Sequence, residues 1–183
     1  MKRNKHYGHH DGNMASPGDI SLRGATMSDA DTVFSLIEEA KAFFKEKNID
    51  MWQRGYPQFS DIIEDITSGD AYVCTDGDRI VGFIFINYGE EDFHSTLKGE
   101  WEDDNPAVFH RLVVDAEYKH FGIGTMMISF VEDLAREHGC TSMRTETDVT
   151  NTPMTSLMKK LGYITRGPLI FTGFEKLGFE KLL

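Results

Sequence analysis

The amino-acid sequence predicts one α/β domain, and two features of its pattern lead to this fold class. Along the chain, short runs rich in β-branched and aromatic residues alternate with longer segments whose apolar residues recur at helical spacing. At residues 107–125, an apolar strand-like run passes through a Gly-x-Gly turn into an amphipathic segment, which is typical of a strand followed by a helix. The predicted order of elements is β-α-α-β-β-β-α-β-α-β-β.

The individual elements follow from local signals. Strands are predicted at 20–22, 71–75, 80–88, 107–114 and 142–148, with an apolar pair of strands from 163 to the end. Helices are predicted from Ser28 to Lys47, from Ser60 to Gly69, from the glycine turn to Gly139, and from Thr152 to Gly162. Ser28 with Asp31 has the pattern of a capping box, and Ser60 is a suitable N-cap. The turn at 76–79 makes a hairpin of the strands beside it.

Composition limits the class of protein. The chain has 183 residues, of which 40% are hydrophobic, so it suits one domain and is too apolar for general disorder. Its net charge of −11 disfavours a nucleic-acid partner, which rewards clusters of Lys and Arg. No run approaches the roughly 20 apolar residues of a membrane span, and no secretory signal is visible. We therefore expect a cytoplasmic protein that binds neither nucleic acid nor membrane.

The cysteines and the N-terminal histidines give no metal motif. Cys74 and Cys140 stand in no metal-ligand spacing, so we interpret both as core residues and expect no metal. Residues 1–18 carry scattered His and Gly without apolar periodicity, and we interpret them as a flexible arm or an artificial extension. The domain is then predicted to span residues 19–183.

The glycine turn is the most informative feature for function. Gly122 and Gly124 open a helix whose first N–H groups lack intrahelical partners, and glycine lets a ligand approach the backbone, so the turn is a candidate anion site. A pyrophosphate is the expected ligand. A dinucleotide fingerprint fits less well, because Met127 stands where the third glycine should be. The Gly-Lys-Ser/Thr of a phosphate-binding P-loop is absent.

Two motifs resemble the GNAT superfamily of acyl-CoA-dependent N-acyltransferases. Lys119, Gly122 and Gly124 resemble its acyl-CoA-binding segment, [Q/R]-x-x-G-x-[G/A], with Lys in place of the usual Gln or Arg. The segment 151–163 resembles its second signature, N-x-x-A-x-x-L-Y-x-x-x-G-[F/Y], although Met154 and Met158 depart from that pattern. The resemblance covers residues 19–183 and implies the GNAT fold, a mixed central sheet with about four helices. It also implies two splayed strands that bind CoA.

The resemblance implies an acetyl-CoA site around the glycine turn. The main chain of 112–114 would pair with the pantetheine arm, and the amides of 121–125 together with Lys119 would hold the pyrophosphate. Asn151, which opens the second motif, and His120, which could reach the nucleotide phosphates, complete the set. The predicted cofactor-binding residues are Leu112, Val113, Val114, Lys119, His120, Phe121, Gly122, Ile123, Gly124, Thr125 and Asn151.

Two residues are candidate general bases. An alkylamine has a pKa of roughly 10.4 and attacks a thioester only when neutral, so a base or desolvation is needed. Glu146 stands where GNAT members similar to ribosomal-protein N-terminal acetyltransferases carry a catalytic glutamate, and His110 stands where arylalkylamine acetyltransferases carry a histidine. Strand alternation predicts that His110 shares a face with Val108, Leu112 and Val114. The alternative is structural: Glu146 could pair with Arg144 or Lys160, and His110 could be a hydrogen-bonded core histidine.

The acceptor pocket is predicted from two loops that combine aromatic residues with carboxylates, which suit a cationic amine. The predicted substrate-binding residues are Trp52, Tyr56, Glu100 and Trp101. The acceptor is expected to be a cationic small molecule or a protein amino group. Alternatively, the aromatic side chains only cover the first helices.

These observations predict an N-acetyltransferase that transfers an acetyl group from acetyl-CoA to a primary amine by direct attack in a ternary complex. The alternative is a CoA-binding regulatory module with little or no activity, and Met158 favours it, because many members of the superfamily use a tyrosine there as general acid. Either form is compatible with a homodimer.

Overall fold

The computed structural model describes residues 17–183, so most of the predicted N-terminal arm lies outside the described residues. Among these residues, none of the helices is long and apolar enough to cross a lipid bilayer. The strands are β1 (Ile20–Gly24), β2 (Ala71–Asp76), β3 (Arg79–Tyr88), β4 (Pro106–Val114), β5 (Ser142–Thr147), β6 (Ile164–Phe171) and β7 (Phe174–Leu182). The α-helices are α1 (Ala30–Glu46), α2 (Phe59–Ser68), α3 (Ile123–Glu137) and α4 (Thr152–Lys160).

All of these strands form one seven-stranded sheet in the order β1-β2-β3-β4-β5-β7-β6. Every neighbouring pair is antiparallel except β4 and β5, which are joined by the crossover helix α3. The predicted mixed sheet with four helices is therefore confirmed. The β4–β5 ladder pairs only Pro106, Ala107 and Val108 with Ser142, Met143 and Arg144, and beyond these residues the two strands separate.

The helices cover both faces of the sheet. On one face, α1 and α2 bury a cluster that includes Val33, Ile37 and Ile62 against β2 and β3. On the other face, α3 and α4 bury a cluster that includes Met127 and Met158. The apolar stripes of the helices therefore face the sheet from both sides, and the ends of β4 and β5 lie between the two layers. Cys74 and Cys140 are buried free thiols.

Both predicted N-caps are displaced, from Ser28 to Asp29 at α1 and from Ser60 to Gln58 at α2. α1 is preceded by a short 3-10 turn at Met27–Asp29, in which Asp29 accepts a hydrogen bond of 2.8 Å from the backbone N–H of Thr26. α2 is capped by Gln58 and not by Ser60. The prediction of Ser28 with Asp31 was wrong because Asp29, which accepts from the Thr26 N–H, also pairs with Arg23 at 2.7 Å and is held in place as the cap.

A β-bulge interrupts β4 at Arg111. Arg111 has a φ of 53°, and the β3–β4 register shifts so that Phe85 faces His110 while Phe83 faces Val113. The bulge moves Leu112 and Val114 to the face packed against α3, whereas the ring of His110 stacks on Phe85 on the opposite face. The prediction that His110 shares a face with Leu112 and Val114 was therefore wrong, because alternation does not continue through a bulge.

A buried ion network fixes the acidic segment 89–105 against the sheet. Arg144 on β5 lies 3.2 Å from Glu180 Oε1 on β7 and 2.7 Å from Glu90 Oε1 in the segment. The second oxygen of Glu180 accepts a hydrogen bond of 2.8 Å from the backbone N–H of Glu102 and lies 2.8 Å from Arg166 Nε. The buried charges of Arg144 and Glu180 therefore hold both ends of the acidic segment against the sheet.

This network predicts a large cost for neutralising Glu180. In Glu180→Gln, Arg144 keeps its burial but loses its buried counter-ion, so the free energy of unfolding should fall by about 3 kcal/mol. The matched variant Glu102→Gln removes an exposed carboxylate beside Arg166 and should lower it by about 1 kcal/mol or less. Urea unfolding at neutral pH measures both values. Equal effects of the two substitutions would contradict the importance of the buried pair.

Candidate active site

A cavity lies where β4 and β5 separate. Its walls come from the aromatic loop after α1, from β4 and β5, from the start of α4, and from the β6–β7 turn. The lining side chains with titratable or amide groups are Asp50, Gln53, Arg54, Tyr56, His110, Arg111, Glu146, Asn151 and Lys176. The fold therefore brings both predicted base candidates to one cavity, together with part of the aromatic loop.

Three side chains form a hydrogen-bonded array at this cavity. His110 Nδ1 lies 3.3 Å from Glu146 Oε1, and His110 Nε2 lies 2.7 Å from Glu91 Oε1. The imidazole and the Glu146 carboxylate are almost fully buried, whereas the Glu91 side chain is 20% exposed. Glu146 Oε2 is buried and has no hydrogen-bond partner within residues 17–183. A buried carboxylate oxygen without a donor is costly, so this atom is a natural acceptor for a ligand proton.

The surroundings of His110 favour its charged form. Burial alone would lower the pKa of His110, but the charges and hydrogen bonds of Glu146 and Glu91 outweigh it and raise that pKa to about 9. Likewise, burial alone would raise the pKa of Glu91, but the bond to His110 and the charge of the ring lower it. The imidazole ring lies nearly parallel to Phe85 and Phe171, at centroid distances of 6.3 and 5.7 Å. At neutral pH His110 is therefore an imidazolium between two carboxylates and is not itself a base.

A second cavity lies on the other side of His110. Five residues line both cavities and form the wall between them: Tyr56, His110, Arg111, Phe171 and Thr172. The second cavity is also lined by carboxylates, namely Glu64, Asp65, Glu90, Glu91 and Asp92. Aromatic rings of Phe85 and Phe93 complete it. Carboxylates combined with aromatic faces attract cations, so this side of the wall suits a positively charged group.

Arg111 fixes the rest of the wall. Its guanidinium donates to both carboxylate oxygens of Asp65 on α2 and to the hydroxyl of Tyr56. Burial raises the pKa of Tyr56, so the phenol stays neutral. The bulge in β4 is what turns Arg111 towards α2, and the fork–fork pair with Asp65 holds it there. Arg111 is therefore bound to Asp65 and Tyr56 and stays charged. His110 is the side chain of this wall whose pKa, about 9, lies nearest to neutral pH.

The glycine turn has the geometry of an anion site. Gly122 is the N-cap of α3 with a φ of 78°, and the first intrahelical bond runs from the Met126 N–H to the Gly122 carbonyl at 3.0 Å. The amides of Ile123 to Thr125 precede that bond and point out of the helix end. No acidic residue occupies the first turn of α3. Lys119 lies over the ring of Phe43, at 3.5 Å from its centroid, and this burial lowers the pKa of Lys119.

Comparison with known proteins decides the family. The model of the acetyltransferase (GNAT) family matches residues 34–163. The chain belongs to this family. No curated protein matches the sequence.

Solved structures agree with this assignment. A GNAT-family acetyltransferase from Streptococcus agalactiae is 27% identical, with a TM-score of 0.78, and the match covers 90% of this chain and 95% of that one. Ard1 from Thermoplasma volcanium is 16% identical with a TM-score of 0.68, over 91% of this chain and 99% of that one. The NatC complex bound to Gag peptide and CoA is 13% identical with a TM-score of 0.65, with the same two coverages. The last two show the shared fold alone.

Several predicted GNAT site residues make contacts within the protein. Trp52 packs against Phe44 at a centroid distance of 5.6 Å, so it serves the α1 core as well as the cavity. Asn151 caps α4 and donates to Thr147 Oγ1 at 3.0 Å. His120 and Phe121 are exposed beside the glycine turn. Leu112 and Val114 pack against the α3 cluster, which leaves the main chain of 112–114 beside the gap.

Glu100 and Trp101 do not join Trp52 and Tyr56. Neither residue lines the two cavities described above. Trp101 Nε1 donates to the backbone carbonyl of His94 at 3.1 Å, and its ring lies 4.2 Å from the guanidinium of Arg144, so it covers the ion network. The acidic segment does reach the site, but through Glu90, Glu91 and Asp92, because the network holds its first turn against the sheet.

Tyr163 and Met158 lie away from the gap. Met158 is fully buried in the core between α4 and the sheet. Tyr163 donates its hydroxyl to Glu132 Oε1 at 2.8 Å, and burial raises its pKa well above the ordinary value. Neither side chain can donate a proton at the cavity.

Sequence reasoning did not single out Glu91, Arg111 or Asp65. Glu91 lies in the same acidic loop as Glu100, which was predicted to contribute to the acceptor pocket, but the seven acidic residues of this loop gave no reason to prefer Glu91. Arg111 adjoins His110 in sequence, and only the bulge turns its side chain to the same cavity wall. Across the described part of the chain, no three His, Cys, Asp or Glu side chains are arranged to hold a metal ion.

The charged state of His110 predicts a pH-dependent stability. Because the folded pKa of about 9 lies above the ordinary value, the array stabilises the folded state fully below about pH 6.5 and this contribution is lost as the pH rises through about 9. The free energy of unfolding of the wild type should therefore exceed that of His110→Gln most at about pH 6, and the difference should shrink by about pH 10. Urea unfolding across this range measures it. A constant difference would show that folding does not raise the pKa of His110.

Proposed function

We propose that this GNAT-family protein is an N-acetyltransferase that transfers an acetyl group from acetyl-CoA to a primary amine. The observation that carries the proposal is Glu146, which lines the cavity between β4 and β5 and has a buried carboxylate oxygen, Oε2, without a hydrogen-bond partner among residues 17–183. The family supplies the donor class, and the NatC neighbour is bound to CoA. The first amides of α3 lie on one side of the gap, which suits an anionic acyl donor. Carboxylates lie on the other side, which suits a cationic amine as the acceptor.

The residues around the glycine turn fit an acyl-CoA. The amides of 121–125 would bind the pyrophosphate at the positive end of α3, with Lys119 and His120 beside it. The main chain of 112–114 has no ladder partner in β5 and would pair with the pantetheine arm. Asn151 would border the arm from the start of α4. When bound, acetyl-CoA supplies a thioester whose thiol is an acceptable leaving group.

Glu146 is the proposed general base. The attacking amine must lose a proton. Within the described residues Glu146 Oε2 has no hydrogen-bond donor, whereas His110 is already protonated near neutral pH. The nitrogen–acyl bond forms and the carbon–sulfur bond breaks, with the electron pair of that bond leaving on sulfur as a thiolate. A thiol with a pKa of about 8.5 leaves as its thiolate without a strong acid. Turnover therefore does not require an acid at Met158 or Tyr163. Backbone N–H groups near Val114 would stabilise the negative charge on the thioester oxygen.

The acceptor side favours a cation. Glu64, Glu90, Glu91 and Asp92 line the second cavity, and Tyr56 borders both cavities. We propose a cationic small molecule as the acceptor, with a protein amino group as the second candidate because the NatC neighbour is bound to a peptide. Trp52 would contact the acceptor from the α1–α2 loop. The cytoplasmic location, the homodimer and the 19–183 domain stay predictions.

The second candidate function is a CoA-binding regulatory module without turnover. Met158 and the Tyr163–Glu132 bond favour it, because neither residue 158 nor Tyr163 offers a free hydroxyl that could protonate the leaving thiolate. Release of free thiol from acetyl-CoA with a panel of amines separates the two functions. CoA binding without thiol release from any amine would support the module.

The phosphate-binding assignment predicts the effect of a substitution in the glycine turn. A Cβ at Gly124 would meet Leu157 and Val114 at 3.8 and 3.9 Å, which are ordinary contacts, so Gly124→Val should fold. Its side chain would occupy the space that a ligand needs beside the α3 amides, and CoA affinity should fall by about 100-fold or more. Calorimetry with CoA measures this loss. Ser129→Val, on the exposed face of α3, is the control, and equal affinities would reject the assignment.

The assignment of the base predicts the effect of Glu146→Gln. The amide keeps the shape of the side chain but cannot accept the amine proton, so kcat should fall by about 100-fold while CoA affinity stays the same. The acidic limb of the pH–rate profile should also disappear. The control is Glu137→Gln, an exposed carboxylate on α3. If His110→Ala removes the limb and Glu146→Gln keeps it, the histidine is the base, and if neither changes it, the ionisation of the amine sets the pH dependence.

A further inference from the structure

We infer that the acceptor carries a neutral carbonyl group bonded to the carbon that bears its reacting amine, and that the Tyr56 hydroxyl donates a hydrogen bond to this carbonyl. Amino-acid amides and the first residue of a peptide share this chemistry. The inference rests on the proposed function, because it concerns the amine that Glu146 would deprotonate. Tyr56 binds the acceptor in this scheme and transfers no proton.

The hydroxyl of Tyr56 has a hydrogen without an acceptor. Arg111 donates to the hydroxyl oxygen. A guanidinium has donors only, so the oxygen accepts in this contact and its own hydrogen must point elsewhere. Among residues 17–183, the contact with Arg111 is the one hydrogen bond that this hydroxyl makes. Tyr56 therefore presents an unused donor, and it lines both cavities.

The geometry keeps this donor in place. Arg111 is in the left-handed region with a φ of 53°, which costs backbone energy in a residue with a side chain, and its guanidinium is held by both oxygens of Asp65. The ring of Tyr56 packs edge-on against Phe171 at a centroid distance of 5.5 Å. Burial raises the pKa of Tyr56 although Arg111 opposes this. The hydroxyl therefore keeps its hydrogen and acts as a hydrogen-bond donor, not as an acid.

The first cavity pairs this donor with an unused acceptor. The Glu146 side chain is 7% exposed, and its Oε2 has no hydrogen-bond partner within the described chain. Glu146 and Tyr56 both line the first cavity. An amine N–H and a carbonyl oxygen two bonds from the amine-bearing nitrogen's carbon match this combination, with the amine at the carboxylate and the carbonyl at the phenol.

The other uncharged hydroxyls of the first cavity are engaged or solvated. Thr145 donates to the backbone carbonyl of Phe109 at 3.0 Å. Thr147 accepts from Asn151 at 3.0 Å. Thr172 is exposed at the β6–β7 turn, where water can bond it. The phenol is therefore the uncharged side-chain donor that a ligand in this cavity can use.

The carbonyl is expected to belong to an amide and not to a carboxylate. Each cation that lines the first cavity has a carboxylate partner, and the pairs are Arg54–Asp50, Lys176–Asp148, Arg111–Asp65 and His110–Glu146. The carboxylate of a free amino acid would find no unpaired cation among these lining residues, and the second cavity would repel it with carboxylates of its own. A neutral amide meets neither obstacle.

The acidity of such an amine agrees with a carboxylate base. An α-amino group next to a carbonyl has a pKa of roughly 7.7–8.0, compared with roughly 10.4 for an alkylamine. A larger fraction of it is neutral near neutral pH, and its proton is easier to remove. An acceptor of this class therefore needs less assistance from Glu146 than an alkylamine does.

The test combines two amines with two variants. Glycinamide and isobutylamine have nearly the same shape, but isobutylamine lacks the carbonyl. In Tyr56→Phe, kcat/KM for glycinamide should fall by about tenfold, whereas kcat/KM for isobutylamine should change by less than about twofold. The control Tyr72→Phe, on β2 and outside both cavities, should behave as the wild type with both amines. Triglycine amide separates the two sources, because a peptide site should acetylate it faster than glycinamide and a small-molecule site more slowly.

The two amines also separate this inference from the proposed function. If Tyr56→Phe loses activity equally with both amines, or keeps the wild-type kcat/KM for glycinamide, the inference is overturned and the proposed function stands. Acetylation of isobutylamine but not of glycinamide by the wild type has the same meaning.

A measurement without turnover covers the remaining case. If the wild type acetylates no amine, the proposed function fails, and a titration of glycinamide in the presence of CoA, followed by protein NMR, still tests the recognition. Binding about tenfold weaker in Tyr56→Phe than in Tyr72→Phe would support the contact between the carbonyl and the phenol. Equal binding in the two variants, or no binding to the wild type, would overturn it.

Discussion

The separation of β4 from β5 is the constraint on which the site depends. These two strands pair in parallel for three residues each and then diverge, so backbone groups at the centre of a sheet have no ladder partner. The bulge at Arg111 contributes to this, because it shifts the β3–β4 register just where the gap opens. Unpaired backbone in a protein interior is stable only if something else bonds it, and the family's donor, an amide-containing thioester, can do so.

Buried charge keeps the acidic segment at this gap. Burying Arg144 and Glu180 costs desolvation energy. Their contact with each other offsets this cost, together with the contact of Arg144 with Glu90 and the hydrogen bond from the Glu102 amide to Glu180. A hydrophobic pair could hold two strands together equally well, but it could not also fix a loop rich in carboxylates. The ion network thus places Glu91 beside His110. The positions of the side chains in the site therefore depend on contacts between residues that are far apart in sequence.

The architecture was predicted in two steps. Strand and helix periods predicted the order of the elements, and the glycine turn and the second motif, through their resemblance to the GNAT superfamily, implied the mixed sheet with its four helices and the family. The parts that could not be predicted depend on tertiary contacts. The N-cap of α1 differs from the prediction because Asp29 pairs with Arg23. The face predicted for His110 relative to Leu112 and Val114 was wrong because of a β-bulge, for which the local sequence gives no signal. Trp101 was predicted to bind the acceptor, but its ring packs against the guanidinium of Arg144 instead. The sequence does not show that this arginine is buried.

The electrostatics of the site follow from one histidine between two carboxylates. An isolated buried imidazole would be neutral and could serve as a base, and an isolated buried carboxylate would tend to be protonated and could not. Placing His110 between Glu146 and Glu91 reverses both tendencies, since the ring gains a proton and Glu91 is held in its charged form. Glu146 keeps its second oxygen buried without a donor among residues 17–183. Under the proposed function, the glutamate would therefore be the base and the histidine would be a fixed charge beside it.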